Sequence, residues 1–307
     1  MKELHILTAH PELPTSQALV KEARDLGISA HLIDPFSVRV VRQKGKNSIQ
    51  EGALKLFLQS ADDKDEELSP PATVIPRIGS TSDEYALSVT LAMEVAGFSV
   101  VNPYKSLIRV RNKVNALLEL YEAGYSVLPF AMVREPREIT DIVRMLGGQP
   151  LVTKFIRGSQ GVGVLKTTES GTTRALVQAF NRLGYDVYVE KFLPGAKKRD
   201  LRFIVVNGEF LASMEKKPRK GEYRGNVHLG AKPVPYNPTQ EEIKVAEGIS
   251  KLFGLGLCGV DILRAGNAFY ILEVNSSPGL IGISEATGRN IAREVIMKLA
   301  QRPKGKS

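Results

Sequence analysis

The chain has 307 residues, 43% hydrophobic and 24% charged, which predicts two or three domains with a sizeable core and excludes a disordered tail or a fibre. A single cysteine, Cys258, excludes an intrachain disulfide framework and a thiolate-cluster zinc site, and four scattered histidines argue against a His-based site. Charge is uneven: residues 1–100 carry 10 basic and 14 acidic side chains and residues 101–307 carry 32 and 19, so the net charges are −4 and +13. The later part therefore faces something anionic, whether nucleic acid, nucleotide phosphates or an acidic peptide.

The opening run Met1–His10 holds Glu3 and His5 within its apolar stretch, so it reads as a first strand rather than a signal peptide. No window nears the roughly 18 apolar residues of a spanning helix. With one cysteine, a reducing compartment is expected: a cytoplasmic protein with no membrane partner. Leu4–Thr8, a helix over Ser16–Asp25 and a strand over Ala30–Ile33 make a β-α-β start, the mark of a parallel sheet. Ala72–Ile75, a helix over Ser82–Ala96 and Val100-Val101 continue it, so residues 1–104 are predicted to form a doubly wound α/β domain. The acidic run 62–67 between its halves is expected to be a solvated loop or a frayed helix end.

Leu107, Val110, Val114, Leu117, Leu118 and Tyr121 recur at helical spacing and predict one helix over 105–122. Beyond Leu128 come a strand, a helix over Glu138–Leu146, strands at Leu151–Phe155 and Val162–Lys166 around a glycine-rich turn, and a helix over Thr173–Leu183. This is a second unit, 105–187. The third, 188–307, is entered along a strand over Val187–Phe192 and continues with strands at Leu201–Val206 and Glu209–Met214. A basic loop, a helix over Gln240–Phe253 and a hairpin joining Gly259–Leu263 to Phe269–Asn275 follow. The order predicts a parallel α/β domain followed by two α+β lobes rich in antiparallel strands.

The hairpin carries the strongest chemistry. Alternation puts Glu273 and Asn275 on one face, where Asp261 of the partner strand can join them. Two carboxylates and an amide oxygen are hard ligands that suit Mg²⁺ when phosphates complete its shell. The local pattern alone fits either such a site or an exposed polar hairpin edge. Lys154 precedes Gly158-Ser159-Gln160-Gly161-Val162-Gly163, whose glycines would let backbone N–H groups converge on phosphate oxygens; it is neither a Walker A loop nor a dinucleotide fingerprint. Glu190-Lys191-Phe192-Leu193 ends an apolar strand that could meet a purine edge, and Asp200 follows a basic turn. The loop Lys216 to His228, rich in Lys and Arg, is expected to face solvent as an anion cover or a nucleic-acid-binding patch.

Taken in order, Ile75-Pro76-Arg77-Ile78-Gly79, Arg111-Asn112-Lys113, Gly158-Ser159-Gln160-Gly161-Val162-Gly163-Val164, Asp200-Leu201-Arg202, Arg224-Gly225-Asn226-Val227-His228, Gly259-Val260-Asp261-Ile262-Leu263-Arg264 and Glu273-Val274-Asn275-Ser276-Ser277-Pro278-Gly279-Leu280 cover nearly the whole chain. Together they resemble the ATP-grasp superfamily and, within it, the ribosomal protein S6 glutamate ligases (RimK-like α-L-glutamate ligases). The resemblance implies an α/β pre-ATP-grasp domain ahead of a two-lobed ATP-grasp fold, with nucleotide between the lobes. It implies Lys113 and Lys154 at the phosphates, with Gly158, Ser159, Gln160 and Gly161 in the loop above them. Glu190, Lys191, Phe192 and Leu193 would line the adenine side and Asp200 would hold the ribose. Arg224 and Asn226 would act at the γ-phosphate, and Asp261, Glu273 and Asn275 would hold Mg²⁺, with Mn²⁺ as the alternative.

The implied enzyme is an ADP-forming carboxylate–amine ligase working through an acyl phosphate, with L-glutamate added to an acidic peptide, protein or small-molecule acceptor. A homo-oligomer is expected, and nucleic acid is not required. The alternatives are an ATP-grasp ligase for another amino acid or a small-molecule acceptor, such as an amino-group carrier or a cofactor, and a non-catalytic RNA- or ribosome-binding protein. One departure bears on substrate: His228-Leu229-Gly230-Ala231 stands where the family continues His-Arg-Gly-Gly, so a cation is absent. There is also one extra residue between Glu190 and Asp200, which loop length absorbs. Cys258, His5 and His31 read as structural. His10 and Arg77, at the carboxyl ends of strands in an α/β domain, are candidates for substrate contact, Arg77 for a carboxylate.

Overall fold

The first strand, β1 (Glu3–Leu7), is buried at four of its five positions, as a strand covered on both faces must be. In the computed structural model, which describes residues 1–44, 53–59, 65–79, 84–158, 163–195, 198–219 and 230–301, it leads into α1 (Pro14–Asp25) and β2 (Ser29–Ile33). Next come β3 (Val38–Arg42), β4 (Leu54–Leu58), β5 (Glu66–Leu68), β6 (Thr73–Pro76), α2 (Glu84–Val95) and β7 (Ser99–Val100). Four of these strands form a parallel sheet in the order β2-β1-β6-β7. The chain winds outward in opposite directions from β1 and β6, so the strand order reverses between them, where an open sheet leaves a crevice at its carboxyl ends.

The sequence pattern does not anticipate the small antiparallel sheet of β3, β4 and β5. Part of the acidic run is a ladder here rather than a loop: Lys55 Nζ lies 2.9 Å from Glu67 Oε2, and Arg39 Nη1 2.6 Å from Asp65 Oδ2. Lys55 on the adjacent β4 and Arg39 on β3 beyond it supply what the run lacks in strand propensity. Asp62, Asp63 and Lys64 lie outside the described residues.

Two helices stand where one is predicted: α3 (Tyr104–Arg111) and α4 (Lys113–Glu122). Asn112 leaves the helical region, and its Oδ1 accepts from Val114 N and Asn115 N, both at 3.0 Å, so it caps α4. The apolar periodicity runs unbroken through the cap, which is why spacing alone misses it. Lys113 thereby opens α4.

The next unit holds β8 (Phe130–Val133), α5 (Ile139–Met145), β9 (Leu151–Phe155), β10 (Leu165–Thr167), α6 (Ser170–Arg182) and β11 (Val187–Lys191), with sheet order β10-β9-β11-β8. The strand predicted at Val162–Lys166 begins later, because Gly163 has φ +72° and its missing Cβ would lie 2.2 Å from the Phe155 ring. Only glycine fits there. The last unit holds β12 (Lys198–Val206), β13 (Glu209–Lys217), β14 (Lys232–Pro235), α7 (Gln240–Phe253), β15 (Leu257–Ala265), β16 (Ala268–Asn275), α8 (Ile281–Thr287) and α9 (Ile291–Ala300). Its five-stranded sheet runs β14-β13-β12-β15-β16. The helices after Leu280, not anticipated, tie the ends of the chain together: Leu4, Ile6 and Leu19 share one core with Ile283, Val295 and Ile296. No helix among the described residues is long and apolar enough to cross a membrane.

Cys258 is fully buried in β15, and burial pushes its thiol up to about 12. Almost no thiolate is available to react. A thiol reagent added to native protein should therefore label Cys258 only as fast as denaturant unfolds the chain; rapid labelling in native buffer would contradict this packing.

Candidate active site

The site is built on β15 and β16. Asp261 and Glu273 are partners directly across this ladder, and Asn275 is opposite Gly259. The register slips between Asp261 and Ile262, a bulge that passes over Leu272. In a regular strand Ile271 would share a face with Glu273. The bulge instead sends Ile271 and Val274 into the core and turns Glu273 to the other side.

Two carboxylates opposed in this way repel unless cations answer them. Arg202, opposite Asp261 on β12, grips it with two bonds, Nε to Oδ1 at 2.8 Å and Nη2 to Oδ2 at 2.7 Å. Lys216 Nζ lies 3.0 Å from Asp261 Oδ2 and 2.8 Å from Asp200 Oδ1. Lys113 reaches from the start of α4 to pair with Glu273. On β9, Lys154 Nζ bonds Glu190 Oε1 at 2.6 Å and sits 5.8 Å from the centre of the Tyr188 ring. Four cations thus balance the four carboxylates Asp200, Asp261, Glu190 and Glu273.

Electrostatics joins the two lobes. Burial by itself would raise the Asp261 carboxyl, but Arg202 and Lys216 outweigh it and hold the group far below the ordinary carboxylate range. Asp200, largely shielded from solvent and next to the charge on Asp261, stays raised although Lys216 opposes the shift. Burial works against Lys154, yet Glu190 carries it above an ordinary lysine, and Asp261 does the same for Arg202. Glu273 adds to both shifts, so one field spans β9 and β12.

Lys216 corrects an expectation. It does not belong to a solvent-facing loop: β13 runs on to Lys217, and strand alternation turns Met214 and Lys216 inward and Lys217 outward. Strand β12 likewise starts at Lys198, which sets Asp200 within the sheet rather than before it. Lys191 faces away from Glu190, its Nζ donating to Gly147 O and Gly148 O, both at 2.7 Å. The ring of Phe192 lies 4.9 Å from Lys166 Nζ, with Leu193 partly buried beside it. Gly158 is buried after β9, while Ser159, Gln160, Gly161, Arg224, Asn226 and Leu229 lie outside the described residues. Sequence reasoning quoted Arg202 without a role and missed Tyr188; the alternation of Asp200 with Arg202, and of Tyr188 with Glu190, is the signal that could have found them.

Among the described residues no three His, Cys, Asp or Glu side chains cluster as a metal site. The set Asp261, Glu273 and Asn275 supplies only hard oxygens and too few of them, which fits a Mg²⁺ whose shell phosphates would complete. Asn275 Oδ1 accepts from Ser277 N at 2.9 Å, which fixes the amide and leaves a lone pair free.

Residues 1–107 match the RimK pre-ATP-grasp domain and residues 110–299 the RimK-like ATP-grasp domain. A probable alpha-L-glutamate ligase of Teredinibacter turnerae is 33% identical over 291 residues, 95% of this chain and 93% of that protein. One from Vibrio vulnificus is 36% identical over 229 residues, covering 75% and 76%. In fold, the chain is similar to the ATP-grasp ligase PsnB, solved with a minimal precursor, at a TM-score of 0.73 and 17% identity over 98% and 99% of the two chains. It is also similar to a RimK domain ATP-grasp protein from Sphaerobacter thermophilus, at a TM-score of 0.71 and 16% identity over 95% and 97%. The α/β domain followed by two antiparallel lobes is the pre-ATP-grasp and ATP-grasp architecture.

Removing Lys216 would leave the buried Asp261 and the partly buried Asp200 to share Arg202. Lys216→Met should cost the ligand-free protein about 3–5 kcal/mol in chemical denaturation. A loss under about 1 kcal/mol would mean that Lys216 is solvated and not part of the network.

Proposed function

The chain belongs to the RimK-like ATP-grasp family and is an ATP-grasp ligase that forms carbon–nitrogen bonds; from that premise we propose that it joins the amino group of L-glutamate to a carboxylate of a protein or peptide acceptor in the cytoplasm. The observation that carries this reading is the meeting of Lys113 with Glu273, beside Asp261, where the two lobes face one another. A carboxylate oxygen of the acceptor attacks the γ-phosphorus, the bond to the β-phosphate breaks and ADP leaves. The amine then attacks the acyl carbon, phosphate departs and the amine loses a proton. No side-chain nucleophile is required.

The work of the protein is electrostatic. Lys113 and Lys154 exchange their carboxylate partners for phosphate oxygens, while Arg202 keeps Asp261 ionised and aimed. Asp261, Glu273 and Asn275 would hold Mg²⁺, which when bound neutralises phosphate charge and lets a carboxylate approach an anion. Arg224 and Asn226 are assigned to the γ-phosphate, and Asp200 to the ribose, from their place in the family pattern. Glutamate is supported by relatives named probable alpha-L-glutamate ligases, and a peptide acceptor by solved ATP-grasp ligases that hold precursor peptides and by the basic charge of residues 101–307. Leu229, at the position of a family arginine, favours a different amine as the second reading.

Release of ADP across a panel of amino acids with an acidic peptide acceptor, with mass spectrometry of the product, tests the proposal. L-glutamate should support turnover and add its residue mass to the acceptor; turnover with another amino acid alone selects the second reading. Glu273→Gln should reduce ADP formation about 100-fold or more with the circular dichroism spectrum unchanged. Full turnover in that variant would remove Glu273 from the metal set.

A further inference from the structure

Arg77 follows β6 at the point where the strand order reverses. Its backbone N donates to Leu7 O at 2.8 Å, so it stands between the carboxyl ends of β1 and β6. Its guanidinium donates from Nε to Ser16 Oγ at 3.1 Å and from Nη1 to Pro278 O at 3.0 Å. Both partners are neutral. No carboxylate among the described residues pairs with it, whereas Lys113, Lys154, Arg202 and Lys216 each have one. Burial pulls it down to about 10, which leaves it cationic at neutral pH.

This charge is held close to the chemistry. Pro278 lies over Gly259, where a Cβ would stand 3.1 Å from Pro278 Cβ and 3.9 Å from Arg202 Nε. The loop after Asn275 is pinned in the crevice: Asn102 Nδ2 donates to Ser276 O at 2.7 Å, and Leu280 N donates to Thr15 Oγ1 at 3.0 Å. Arg77 is therefore a partly buried cation tied to the loop that packs over Gly259 beside Arg202, with donors that no anion among the described residues uses.

A desolvated charge without a counterion is costly, and an anionic ligand would relieve that cost. The phosphates have Lys113 and Lys154. The acceptor carboxylate gives up its charge when it becomes an acyl phosphate, so a fixed cation holding it would oppose activation. A carboxylate of the amine-bearing substrate keeps its charge through both steps. Resting on the ligase reading above, we infer that Arg77 binds a free carboxylate of the incoming amino acid and selects the acid over its carboxamide.

The test compares kcat/KM for L-glutamate, L-glutamine and L-isoglutamine in wild type, Arg77→Gln and Arg77→Lys, with ATP affinity measured by calorimetry. One of the two amides, the one lacking the bound carboxylate, should be a poor substrate for the wild type, and its identity tells which carboxylate is held. Arg77→Gln should lower kcat/KM for L-glutamate about 10- to 150-fold, chiefly through KM, as expected for loss of one charge-assisted contact. It should leave that amide and ATP affinity little changed, so the discrimination collapses, and Arg77→Lys should restore part of it. Discrimination that persists in both variants, or an equal fall for all three amines, would make Arg77 a tie for Pro278 and overturn the inference while the ligase reading stands. No turnover of L-glutamate by the wild type would overturn that substrate assignment and the inference with it.

Discussion

Asp261 and Glu273 stand directly across a β-ladder, and like charges in that position repel. A stable hairpin would not choose this arrangement, and a buried ion network of this kind is commonly no more stable than apolar packing of the same volume. The surrounding structure answers the repulsion from several directions: Arg202 from β12, Lys216 from β13 and Lys113 from α4. Each cation comes from a different element, so the ladder is tolerable only once the sheet, the cap at Asn112 and the lobe contact are all formed. The same feature supplies the fixed, oriented charges that the proposed phosphoryl transfer requires.

The N-terminal domain belongs to this site rather than standing beside it. Its core is shared with α8 and α9, and the crevice at its strand ends holds the segment that follows Asn275. Asn102 adopts the left-handed conformation, φ 68°, while bonding Leu257 and Ser276, a strained geometry kept where it fixes the segments next to Gly259 and Asn275. The place where an open α/β sheet usually admits a ligand is thus partly filled by the chain itself, and Arg77 stands at its edge with neutral partners only among the described residues.

Much of the fold was legible because its strands and helices are bounded by residues with local meaning. Gly27 and Gly97 end helices, and alternation places Glu273 and Asn275 on one face of a hairpin opposite Asp261, although that pattern alone also fits an exposed polar edge. What stayed hidden is what depends on other segments. The periodicity through Val110 and Val114 conceals the break at Asn112, because an N-cap can sit inside an amphipathic pattern without disturbing it. The bulge at Leu272 cannot be read from one strand, since it exists only relative to β15. Lys216 looks like the start of a basic loop until Asp200 and Asp261 come to lie beneath it. In each case the deciding partner is far away in the chain.

On the function proposed above, Lys113 and Lys154 would exchange their carboxylate partners for nucleotide phosphates, and Asp261, Glu273 and Asn275 would hold the Mg²⁺ that makes this exchange tolerable. Calorimetric titration of ATP into the wild-type protein, once with Mg²⁺ and once with the metal chelated, addresses it most directly. ATP alone brings further negative charge against Asp261 and Glu273, so binding should be strong with Mg²⁺ and weak or undetectable without it. Equal affinity under both conditions would contradict the account.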